Sequence, residues 1–375
     1  MIYREFQNLK LSALGMGCMR LPVKESNRDI DTDAVKRMIA YALEKGINYF
    51  DTAWGYHGGE SETVLGKLLK EYPRDSFYLA TKFPGYDVSN MNKVEEVFEE
   101  QLRKCQVAYF DFYLFHNVCE LNIDAYLNPE FGILKYLREQ KKNGRIRHLG
   151  FSTHGTLDTM KRFLDAYGEE LEFCQIQLNW LDWKMQNAKA KVELLEKYKL
   201  PVWVMEPVRG GKLANIEEAY EAQLRAIRPK ATVVEWAFRF LQSIPSVTMT
   251  LSGMSNLEQL KENISIYETE EPLREDETKK LFEVSAAMTA KSTLPCTGCH
   301  YCTSHCPIEL GIPELIELYN EHVYDGGSFL APMAVGALPD EKKPSACLGC
   351  RACEAVCPQN IKISEMMSDF VERLK

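Results

Sequence analysis

No apolar run in this 375-residue chain approaches the roughly 20 residues a helix needs to cross a bilayer. The opening residues, MIYREFQNLK, lack the basic-then-apolar layout of a secretory leader. A basic excess is also missing. Lys and Arg number 45 against 54 Asp and Glu, a net charge of −9, which argues against nucleic acid as the main partner. No G-x-G-x-x-G follows a first strand, so the dinucleotide fingerprint of Rossmann domains is absent. Low-complexity segments are absent as well. These absences predict a cytoplasmic protein that engages neither membrane nor nucleic acid.

Cysteine, by contrast, is abundant, at 12 residues. Cys296, Cys299, Cys302 and Cys306 precede Pro307; Cys347, Cys350, Cys353 and Cys357 precede Pro358. Each run reads C-x2-C-x2-C-x3-C-P, the spacing that ligates a [4Fe–4S] cluster in bacterial two-cluster ferredoxins. Zinc is the alternative, but structural zinc usually pairs two C-x2-C knuckles and has no use for a proline-ended fourth cysteine. Thiolate ligation without an export signal points to a reducing compartment. The other four cysteines, Cys18, Cys105, Cys119 and Cys174, read as small buried apolar groups, with Cys18 in a glycine-rich turn that could face a cofactor.

Ahead of the cysteine runs, short apolar stretches alternate with amphipathic ones. Strands are expected at 12–18, 47–51, 77–82, 111–116, 146–151, 173–178, 201–206 and 246–252. Helical patterns lie between them, such as 33–45, 92–105, 131–142, 156–167, 187–198 and 231–242. Continuously apolar strands separated by helices mean a parallel sheet covered on both faces. Eight such units is the count that closes a (β/α)8 TIM barrel, and 45% apolar residues can fill it. The expected fold class is α/β: a barrel over residues 1–285, and over 286–375 a small, mainly helical, two-cluster ferredoxin-like domain.

Asp51, Lys82 and His116 are each expected to end a strand, on the face where such barrels place their chemistry. Tyr56 follows in the loop after the second strand. Its phenol ordinarily titrates at about 10, and an adjacent Lys82 ammonium would lower that value while Asp51 holds the lysine. A lowering of about three units corresponds to roughly 4 kcal/mol. Tyr56 would then protonate a carbonyl oxygen that His116 orients by hydrogen bonding. Trp54, His57 and Asn117 are expected to line the same pocket.

These segments resemble the aldo-keto reductase superfamily. The likeness runs from LGMGCMRLP (14–22) through DTAWGY, ATK, LFH and NGRIRHLGFS (143–152) to QIQLNW, EPVRGGKL and LSGMSNLEQLKEN (251–263). It implies a (β/α)8 barrel with the tetrad Asp51, Tyr56, Lys82 and His116, binding NADPH without a Rossmann domain. By the same resemblance Ser152 and Gln175 hold the nicotinamide amide. Pro207, Val208, Gly210 and Leu213 wrap the pyrophosphate. Gly253, Ser255, Gln259 and Asn263 surround the adenosine 2′-phosphate and adenine. Three positions depart from the family pattern: Thr153 replaces an Asn, Met205 replaces an aromatic, and no arginine occupies 254–259. NADH therefore stays open beside NADPH. The MEPVRGG wording resembles the branch with a C-terminal ferredoxin-type extension.

In such an extension the fourth cysteine of each run ligates the other cluster. The implied sets are Cys296, Cys299 and Cys302 with Cys357, and Cys347, Cys350 and Cys353 with Cys306. The function expected is reduction of a small carbonyl by NAD(P)H, with the two [4Fe–4S] clusters exchanging electrons with a redox partner protein. Nicotinamide moves two electrons as hydride and each cluster one, so a direct link between them is chemically awkward without a flavin. The alternative is an electron carrier or redox sensor whose barrel mainly binds nucleotide or a partner. A purely structural role for the clusters is also open.

Overall fold

A strand that is apolar on both faces has no side to offer solvent. Eight such strands meet this demand by closing on themselves in the computed structural model, which describes residues 1–290 and 292–375. They are β3 (Leu14–Gly17), β4 (Tyr49–Asp51), β5 (Tyr78–Phe83), β6 (Phe110–Val118), β7 (Ile146–Thr153), β8 (Cys174–Gln177), β9 (Val202–Met205) and β10 (Val247–Ser252). All pair in parallel and β10 returns to β3, so the barrel has no open edge. A helix follows each strand: α1 (Thr32–Glu44), α2 (Ser61–Leu69), α3 (Val94–Cys105), α4 (Ile133–Lys142), α5 (Leu157–Tyr167), α6 (Ala188–Lys197), α7 (Val233–Gln242) and α8 (Leu257–Ile266). Side chains of Asp31, Thr156, Thr232 and Asn256 accept first-turn N–H groups and set the starts of α1, α5, α7 and α8.

Two features differ from the sequence pattern. The first is an antiparallel hairpin ahead of the barrel, β1 (Tyr3–Phe6) with β2 (Leu9–Ser12). It takes Ser12 from the first expected barrel strand, and only Ala13 separates it from β3, so it lies at the strands' N-terminal end. Phe6 and Leu11 join a core of Tyr49, Phe112, Phe173, Trp203 and Met249 there. The second is in β6, which continues past His116 to Val118. Its pairing with β7 shifts register between Phe115 and Val118, and Asn117 takes a left-handed φ of 52°. A bulge of this kind re-aims one side chain of a strand.

By packing, the chain divides into two compact units, Met1–Trp180 with Ala188–Lys279, and Leu181–Asn187 with Lys280–Lys375. The second unit has no strand among its described residues. Its core gathers Leu310, Ile312, Leu315, Ile316, Ile363, Met366 and Phe370. These come largely from helices α9 (Ile312–Asp325) and α11 (Ile363–Arg373), with α10 (Leu330–Gly336) adding Ala331 and Val335.

Candidate active site and cluster-ligand sites

Asp51 is the last residue of β4, and Lys82 sits one residue from the end of the neighbouring β5. Both are buried, and a cation and an anion can remain so only as a pair. Lys82 Nζ donates to Asp51 Oδ1 at 2.7 Å and to the Thr52 carbonyl at 2.8 Å. Burial pushes the Asp51 carboxyl up against the opposing pull of Lys82.

Tyr56 and His116 close the group. Lys82 Nζ lies 5.3 Å from the centre of the Tyr56 ring, and the Tyr56 and His116 rings meet edge to face at 6.1 Å. Burial and then the Lys82 charge hold the His116 imidazole well below its usual range, so it is neutral. Its Nδ1 is buried with no hydrogen-bond partner among the described residues.

The expected lowering of the Tyr56 phenol is not found. Burial, followed by the negative charge of Asp51, pushes it well above 10. Desolvation of the phenol outweighs the Lys82 ammonium, which is hydrogen-bonded to Asp51 and Thr52 and faces the Tyr56 ring.

Trp54, His57 and Asn117, expected to line the same pocket, each have a partner of their own. His57 Nε2 accepts the Leu21 N–H at 3.1 Å, tying the loop after β4 to the loop after β3. Trp54 packs under the Lys104 ammonium at 4.7 Å. The Asn117 N–H donates to Ser152 Oγ at 2.8 Å.

The other residues assigned to a nucleotide lie on the same end of the barrel. Ser152 ends β7 with Thr153, pairs in register with Gln175 on β8, and both are buried. Gln175 Oε1 is a buried acceptor without a partner among the described residues, which fits a carboxamide N–H. Met205 Sδ lies 3.7 Å from Gln175 Nε2. After β9 the loop holding Pro207, Val208 and Leu213 turns through left-handed Gly210 (φ 63°) and Gly211 (φ 95°), and a Cβ on Gly211 would meet nothing within 4 Å. Such an open, left-handed backbone can approach a phosphate closely.

Gly253 follows β10, and Gln259 Oε1 accepts the Ser255 N–H at 2.8 Å. Asn263 is buried on α8 and donates to Ser252 Oγ at 2.9 Å. Arg20 lies against both glycine segments. A Cβ on Gly210 would meet its guanidinium at 2.8 Å, and one on Gly253 would meet its stem at 3.2 Å.

In the C-terminal unit the two cysteine runs adopt one conformation twice. Gly298 and Gly349 are left-handed (φ 64° and 65°), as are His300 and Arg351 (59° and 60°) and Glu309 and Asn360 (both 53°). Burial repeats in step: Cys299 and Cys350 are exposed, Cys302 and Cys353 buried. Cys306 joins Cys347, Cys350 and Cys353 around a space walled by Leu310 and Ile312. Cys357 joins Cys296, Cys299 and Cys302 around a second space walled by Ile316 and Ile361. Among the described residues no three His, Cys, Asp or Glu side chains converge on one metal-ion position. Four thiols spread around an apolar space suit a cluster cage. The Leu310 N–H already points to Cys306 Sγ at 3.4 Å, the kind of bond that stabilises a ligand thiolate.

The aldo/keto reductase family model matches residues 13–286, more than half the chain. The chain belongs to the aldo/keto reductase family. Residues 295–361 of this aldo/keto reductase match a 4Fe-4S dicluster domain.

A probable aldo-keto reductase of Glycine max is 28% identical over 213 residues, 55% of this chain, and the match spans only 58% of that relative. The NADH-specific methylglyoxal reductase of Escherichia coli is 26% identical over 302 residues, 69% of this chain and 90% of that protein. The holo form of an aldo-keto reductase from Bacillus halodurans is similar in structure, with TM-score 0.62 and 25% identity over 76% of this chain and 96% of that one.

Four residues of this aldo/keto reductase near the site escaped the sequence reading: Arg20, Glu62, Gln101 and Tyr86. Buried Glu62 accepts from Thr81 Oγ1 (2.7 Å), Gln101 Nε2 (2.8 Å) and Lys104 Nζ (2.8 Å). Gln101 also donates to the Lys82 carbonyl at 3.0 Å. Glu62 and Gln101 lie on amphipathic helices, where a polar residue reads as a solvent-facing one.

Proposed function

We propose that the barrel, residues 1–285, reduces small carbonyl compounds with a nicotinamide nucleotide, and that residues 286–375 carry two [4Fe–4S] clusters. The observation that carries the reading is the buried Lys82–Asp51 pair at the strand ends, with Tyr56 and a neutral His116 beside it. In this reading His116 hydrogen-bonds the substrate oxygen and Tyr56 donates a proton to it. A phenol held well above 10 keeps that proton at neutral pH, which suits the reductive direction. Lys82, fixed by Asp51 and the Thr52 carbonyl, keeps a positive charge beside the phenolate that proton donation leaves behind.

The nucleotide, when bound, supplies the hydride. Ser152 and Gln175 would hold its carboxamide, with Pro207, Val208, Gly210 and Leu213 along the pyrophosphate. Gly253, Ser255, Gln259 and Asn263 would bind the adenosine end. Arg20 between the two glycine segments supports NADPH, whereas the Escherichia coli relative is named for NADH. The clusters, when bound, supply single-electron transfer, and a redox partner protein in a reducing cytoplasm would complete the circuit.

Tyr56→Phe should lower aldehyde reduction by at least about a hundredfold while nucleotide affinity is retained. Unchanged turnover would remove Tyr56 as the acid. Anaerobically purified protein should hold about eight iron and eight sulfide per chain. Zinc without sulfide would overturn the cluster assignment.

A further inference from the structure

Tyr86 is 40% exposed, and the backbone that carries it is closely packed. It follows β5 by three residues, directly after Gly85. A Cβ on Gly85 would lie 2.3 Å from the Tyr126 ring, so the chain is wedged there. Tyr126 is itself fixed, its hydroxyl donating to the carbonyls of His116 (2.9 Å) and Phe83 (3.3 Å). From this root the Tyr86 ring stands edge-on to His116 at 5.1 Å and 87°. Its far end reaches the loop after β4, where a Cβ on Gly55 would come within 2.5 Å of the Tyr86 hydroxyl oxygen. Gly55 has φ −89° and ψ −4°, a conformation open to any residue. A side chain at 55 would therefore displace the Tyr86 hydroxyl, although the backbone there would accept one.

The geometry points to Tyr86 as a gate that sets the width of substrate admitted beside His116. This rests on reading Tyr56 and His116 as the carbonyl-binding pair. A substrate group layered between two rings needs two carbon contacts of about 3.5–4 Å each, together roughly 7 Å. The Tyr86–His116 separation is 5.1 Å, so no such layer fits while Tyr86 keeps this position. An aldehyde presents only hydrogen on one side of its carbonyl carbon. A diaryl ketone presents a ring on both. The substrates selected are aldehydes on a slim or flat body, and carbonyls bulky on both sides are excluded.

Two variants open the gate by different routes. Tyr86→Ala removes the ring; Gly55→Ala keeps it but sets a methyl 2.5 Å from the present hydroxyl oxygen, which must move. Benzaldehyde and benzophenone are the probes. In both variants the benzophenone-to-benzaldehyde ratio of kcat/KM should rise at least tenfold over the wild type. Binding of the same two compounds, read by quenching of tryptophan fluorescence, should shift in the same sense and needs no turnover. A ratio unmoved in both variants, in kinetics or in binding, would overturn the gate. If the wild type reduces no carbonyl with either nucleotide, the proposed reaction fails, and the binding ratio still decides the gate on its own.

Discussion

Protonation at the site is governed by burial more than by neighbouring cations. Desolvation comes first for both Tyr56, held well above 10, and His116, held well below 6.5. His57, accepting the Leu21 N–H, is also lowered by burial. Between about pH 7 and 10 none of the three changes its proton count in the free enzyme. Lys82 lies beside the Tyr56 ring and is held by Asp51, yet burial of the phenol outweighs its charge. The kcat for aldehyde reduction is therefore expected to be flat from about pH 7 to 9. Alcohol oxidation needs the phenol deprotonated, so its rate should climb with pH by up to about tenfold per unit over the same range. A bell-shaped reduction profile centred near pH 8 would show that another group supplies the proton.

Among elements, α2 and α3 support the site from outside the barrel. A Cβ on Gly66 of α2 would lie 2.4 Å from the Lys104 carbonyl and 2.5 Å from the Cys105 carbonyl carbon, both backbone atoms of α3. That approach lets Glu62 meet Lys104 and Gln101, and Gln101 in turn hold the Lys82 carbonyl. Gly66→Ala should push α3 away, destabilise the fold by about 1–3 kcal/mol and lower kcat through β5. Urea denaturation paired with turnover checks this, and wild-type stability in the variant would refute the close packing.

The barrel strands were legible in the sequence because continuous apolar runs have one sheet solution. Asp51 and Lys82 stood out because a charge ending such a run has no packing reason to be there. The β1–β2 hairpin was not legible: YREF and LKLS are four residues each and interrupted by charge. Tyr86 was equally silent, since its contacts depend on how two loops meet over a closed barrel.

At the scale of the whole molecule, the division into units cuts across chain order. Leu181–Asn187 leaves the barrel after β8, belongs with the C-terminal unit, and returns at Ala188 to begin α6. Within that unit Gln186 Nε2 lies 3.5 Å from Glu321 Oε1 on α9, and Glu321 is buried. The unit's own core is small, and the four thiols around each ligand space would cross-link its segments only through a bound cluster. Cluster binding should therefore supply much of its folding free energy, as structural metals do in small domains. The barrel, closed and with its own core, should not depend on them. Stripping the clusters anaerobically with chelator and oxidant should raise amide hydrogen exchange across 292–375. Segment 181–187 should rise with it, although β8 at 174–177 and α6 at 188–197 stay protected. Exchange in 181–187 that tracks its barrel neighbours would place the segment with the barrel. Protection unchanged throughout 292–375 would mean that the helices hold the unit without iron.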